Sequence, residues 1–86
     1  MDIKTAYEIL EFWRSLGGDG YLHWDGDNPV FIFSLEISKL EQRIMVYELK
    51  QQQLIDYKSG KPRHIDPASL KAKLLDVMTQ WKLEEL

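Results

Sequence analysis

Four large apolar side chains, Phe31, Phe33, Leu35 and Ile37, alternate without a miss with Ile32, Ser34, Glu36 and Ser38. A period of two puts the first set on one face of a β-strand and the second on the other. That is the pattern of a sheet with one dry and one wet side. The segments at both ends of the chain carry helical periodicity instead. The expected class is therefore α+β: an antiparallel β-meander of three to five strands, with an N-terminal and a C-terminal helix packed on the Phe31/Phe33/Leu35/Ile37 face. The alternative is a β-hairpin with three helices.

The first helix is predicted from Asp2 or Lys4 to Leu16. Ile3, Ala6, Tyr7, Leu10, Trp13 and Leu16 recur at spacings of three and four and form one stripe. Asp2 can cap the first amides, or Thr5 with Glu8 can form a capping box. Gly17-Gly18 ends the helix, since glycine accepts the left-handed conformation of a C-cap. A short strand, Gly20 to Trp24, should follow. The turn formers Asp25-Gly26-Asp27-Asn28-Pro29 then reverse the chain into the alternating strand.

Residues 38–58 read two ways. As a helix, Ser38 and Glu41 would cap it, and Leu40, Ile44, Tyr47, Leu54 and Ile55 would share a face. As strands, Met45, Tyr47 and Leu49 alternate with Ile44, Val46 and Glu48, and residues 56–61 make a hairpin turn with Gly60 left-handed. Two arguments favour strands. A lone hairpin is marginal in water and cannot cover the Phe31/Phe33 face. Gln51, Gln52 and Gln53 would also interrupt an apolar helical stripe. The last helix is better signalled, with Asp66 as N-cap, Pro67 in the first turn and a stripe of Leu70, Leu74, Val77, Met78 and Trp81, running to about Leu83.

With 86 residues and an apolar share of 44%, the chain suits one α+β domain, residues 1–86, with one core and a thin stability margin. There is no cysteine, so disulfides, thiolate metal sites and a cysteine nucleophile are excluded. That absence fits a reducing, cytoplasmic setting. No apolar run is long enough for a membrane span and no leader is expected. The net charge of −3 is unevenly spread. Residues 1–36 hold seven acids and two bases, whereas residues 58–73 hold five bases and one acid.

Motifs for chemistry fail on inspection. Taking Asp25 as the first position of a calcium loop puts Asp27 third and Glu36 twelfth, but Pro29 and Val30 stand where an oxygen ligand and a glycine are needed. Gly17-Gly18-Asp19-Gly20 follows a helix where a phosphate loop would precede one. Ser59-Gly60-Lys61-Pro62 lacks the spacing as well. His23 and His64 lie far apart, each with an acid two residues on, and no zinc spacing is present. No cofactor and no metal are expected.

The expectation is a small non-catalytic binding or regulatory module acting by protein–protein contact, self-association being one form. Its candidate contacts are Trp24 with Asp25 and Asp27 on one side, and Lys61 with Arg63 on the other. An alternative is weak nucleic-acid binding through Lys58, Lys61, Arg63, His64, Lys71 and Lys73, with Tyr57 stacking on a base. The acidic balance and the lack of a nucleic-acid motif speak against it. A small enzyme with a site near His23 and Asp25 is the third reading.

Overall fold

A computed structural model describes residues 3–84. Helix α1 (Ile3–Ser15) leads into five strands, β1 (Asp19–Asp25), β2 (Asn28–Ser38), β3 (Glu41–Glu48), β4 (Gln53–Asp56) and β5 (Pro62–His64). A 3-10 turn (Pro67–Ser69) then opens helix α2 (Leu70–Glu84). The strands form one antiparallel sheet in the order β1-β2-β3-β4-β5, with every connection a hairpin. The meander flanked by terminal helices is thus the fold, and residues 38–58 are strands; the hairpin with three helices is not needed. Asp2, read as a cap, lies outside the described residues.

Turn chemistry sets the hairpins. Gly26 and Asp27 connect β1 to β2, and Gly26 takes the positive φ of 64° that such a tight turn asks for. Lys39 and Leu40 connect β2 to β3, leaving Leu40 at the tip, 99% exposed. A bulge between Glu36 and Ser38 breaks the register there. This is where the perfect alternation of the sequence stops corresponding to the pairing. Gly60 supplies the left-handed residue of the β4–β5 connection.

Both helices lie on one face of the sheet. Phe31, Phe33, Met45, Tyr47 and Leu54 face Leu10 and Trp13 from α1 and Leu70, Leu74, Met78 and Trp81 from α2 in a single core. Trp13 sits at its centre. Its ring meets Phe33 and Trp81 edge-on at 5.7 Å, and its indole N–H donates to the Ser34 carbonyl at 3.0 Å. The α1 stripe is rotated from its expected position. Ile9 is buried with Ala6, Leu10 and Trp13, while Ile3 and Tyr7 are exposed. A buried Tyr7 would need a partner for its hydroxyl, whereas Ile9 needs only volume, so packing favours the rotation.

α2 is held at both ends. Asp66 accepts from the Ala68 amide at its start. Near its end, the buried Arg43 guanidinium bonds Asp56 at 3.1 Å and also Glu84, and stacks 4.7 Å over the Trp81 ring. Lys82 donates to the Leu16 carbonyl and so ties α2 to the end of α1. Among the described residues, no helix is long and apolar enough to cross a membrane.

Candidate interaction surface

With both helices on one side, the other face of the sheet carries no covering layer. Its composition follows from the register. Tyr21 pairs with Ile32, Ile32 with Val46, Val46 with Ile55, and Ile55 with Pro62. One apolar row thus crosses all five strands. Val30 beside Ile32 and Ile44 beside Val46 widen it along the central strands. Val46 is 8% exposed yet stands outside the core cluster, because its outer-face neighbours shield it. Period-two alternation assigns this side to water, and Ser34 and Glu36 fit that role. Ile32 does not, since its cross-strand partner is another branched aliphatic.

The next row reads His23, Val30, Glu48, Gln53 and His64. The two histidines, 41 positions apart in the chain, therefore end the same row on β1 and β5. Four strand spacings separate them, about 19 Å. On the other side of the apolar row stand Asp19 and Ser34, followed by Glu36 with Gln42. Strand parity thus gives this face Asp19, Asp25, Glu36 and Glu48, and neither a lysine nor an arginine from any strand. Counted over the strand residues, the surface is an apolar patch between polar rows with a net negative border, and Lys58 of the β4–β5 turn stands at its edge beside Ile44.

The residues singled out from sequence are distributed around this surface. Asp25 is exposed on its border. Asp27 occupies the β1–β2 turn, where the Lys50 ammonium, hydrogen-bonded at 2.8 Å, holds its carboxyl below the usual carboxylate range. Trp24 has the parity of the helix-covered face and is 54% exposed; it lines a small apolar notch with Ile3, Leu22 and Pro29. The exposed His23 lines none of the described clefts. Among the described residues, no group of three acids or histidines is placed to hold a metal ion.

The basic stretch is split by the fold. Lys61, Arg63 and Lys73 converge on one cleft between the β4–β5 hairpin and α2. Lys58 lies with Tyr57 and Ile44 in a separate depression. His64 points to the opposite side of the sheet from Arg63, its chain neighbour. Lys71 stands over the Phe12 ring at 5.9 Å, beside α1. Six candidates in one run of sequence thus become three that share a cleft and three that do not. No family model matches the chain, and no curated protein or solved structure matches it either.

The apolar row was missed from sequence because it needs register. Each strand alone contributes one or two apolar residues to this side, which reads as ordinary scatter. Only pairing aligns them. Arg43 was missed for a related reason: its partners Asp56 and Glu84 lie 13 and 41 residues away.

Proposed function

We propose that this protein is a small, non-catalytic binding module of the cytoplasm, and that it receives a basic amphipathic helix of a protein partner on the open face of its sheet. The observation that carries the reading is the unbroken apolar row from Tyr21 to Pro62 on a face that neither helix covers. Layered α/β folds gain stability by covering such a face with helices. A binding module can leave that position to its partner.

Width and charge support a helix. The patch is densest over β2, β3 and β4, where Val30, Ile32, Ile44, Val46 and Ile55 lie. Three strands span about 10–14 Å, close to the diameter of one helix with its side chains. A partner sheet would cover all five strands and press apolar side chains onto the His23/Glu48/His64 row. A second copy of this chain would bring Asp19, Asp25, Glu36 and Glu48 against themselves, and like charges at an interface are costly. Lysine and arginine flanking the apolar stripe of a helix would instead meet those acids.

Selection of a displayed library of 16-residue peptides on the folded protein tests this. The expected ligands carry apolar residues at helical spacing with flanking Lys and Arg, and lose binding to an Ile32→Glu, Val46→Glu double variant. Ligands that are acidic or extended, or that bind the double variant equally well, would contradict the reading. So would concentration-dependent dimerisation through the same face.

A further inference from the structure

The cleft between the β4–β5 hairpin and α2 is a second surface, independent of the open face. Lys61 precedes β5, Arg63 lies within it, and Lys73 comes from the first turn of α2; all three line the cleft, whose apolar lining includes the buried Met45, Val77 and Trp81. Its volume is about 130 Å³, several times the roughly 10–15 Å³ that one water needs on the same measure. That is room for a single tetrahedral oxyanion with some of its hydration. It is too small for a nucleoside, since drug-sized sites run to about 300 Å³ and above.

The charges in the cleft are poorly compensated. Asp56 also lines it, but its carboxylate is engaged by Arg43 at 3.1 Å. Lys73 reaches Asp76 only at 4.0 Å, the outer limit of an ion pair. Lys61 and Arg63 make no ion pair among the described residues. Two cationic residues of the β4–β5 hairpin and one of α2 thus line one small space with a single acid, Asp56, which is already paired to Arg43.

We propose that this cleft binds a phosphate monoester dianion. Arg63 supplies a planar fork that can hold two oxygens, and Lys61 and Lys73 supply point charges. A monocarboxylate would leave part of that positive charge unmatched. A nucleic-acid strand would need cations continuing along its backbone and an aromatic platform, whereas Lys58, Tyr57, His64 and Lys71 all stand elsewhere. The ester has two possible sources, a free small molecule or a phosphorylated side chain on a peptide, and both offer the same dianion.

The test is titration of the isotope-labelled protein with inorganic phosphate, with a short phosphoserine peptide and with acetate, at constant ionic strength near neutral pH, read by amide chemical shifts. The expected result is saturable shifts at Ser59, Lys61, Arg63 and Lys73 with both phosphates, and at least tenfold weaker response to acetate. Arg63→Gln, Lys61→Gln and Lys73→Gln should each weaken phosphate binding by about fivefold or more, while Lys58→Gln and Lys71→Gln change it less than about twofold. Thermal unfolding of each variant confirms that it folds. A peptide bound more tightly than inorganic phosphate identifies the phosphorylated side chain as the source, and equal affinity identifies the free ester. Non-saturating shifts spread over all lysines, acetate bound as well as phosphate, or equal losses from the Lys58 and Lys71 variants would overturn the proposal.

Discussion

At the scale of single residues, the core depends on Trp13 being admitted without distortion. A methyl group at Gly18 would lie 2.1 Å from the Trp13 indole nitrogen, and that ring is fully buried and locked by Phe33, Trp81 and the Ser34 carbonyl. The ring cannot move aside, so Gly18→Ala should cost about 2–3 kcal/mol in urea unfolding. A change below about 0.5 kcal/mol would mean that the packing around Trp13 is looser than described.

Tyr47 offers a pH-dependent counterpart. Its hydroxyl donates to the Ile65 carbonyl at 2.6 Å, and burial, followed by the negative charge of Asp66, pushes the phenol above its ordinary value of 10.0. A folded-state value above the unfolded one means that the native protein holds the proton more tightly. The associated stability is fully present below the unfolded value and is lost as pH rises through the folded one. Wild-type stability should therefore fall more steeply above about pH 10 than that of Tyr47→Phe. At neutral pH the same variant should be about 1–2 kcal/mol less stable, through loss of a buried hydrogen bond. Parallel alkaline profiles would contradict this.

Among the elements, α2 is joined to the sheet through Arg43, whose side chain is only 8% exposed. Its carboxylate partners remain partly accessible, so on truncation they would be rehydrated, and the larger loss is the stem packed against Trp81. Arg43→Ala should then cost about 2–3 kcal/mol and Arg43→Met about 1 kcal/mol, measured by denaturant unfolding. Equal costs would show that charge, and not packing, dominates.

What the chain revealed in advance follows the range of the interactions involved. β2 and α2 were legible because their signals are local: a period of two in one, and a capping aspartate, a proline and a five-residue stripe in the other. The rotation of α1 was not, because Tyr7 and Ile9 compete for a place that only packing against the sheet and α2 decides. The connection at residues 49–52 was legible only as an interruption. Gln52 adopts a φ of 52°, a left-handed conformation that its residue type gives no reason to expect. Of the candidate contacts, Lys61 and Arg63 were recognised as a pair, but Lys73 joins them only through the packing of α2 on the sheet.

For the molecule as a whole, the uneven charge of the sequence becomes a division between surfaces. Acids border the open face of the sheet, and three cationic residues gather along the cleft beside α2. Docking of a basic amphipathic helix on the open face can be read by mapping the amide shifts of the labelled protein as a selected peptide of that kind is added. Saturable shifts should centre on Tyr21, Ile32, Ile44, Val46 and Ile55, and should weaken as ionic strength rises. Shifts centred instead on α1 and α2, or absent from the central strands at saturation, would contradict the account.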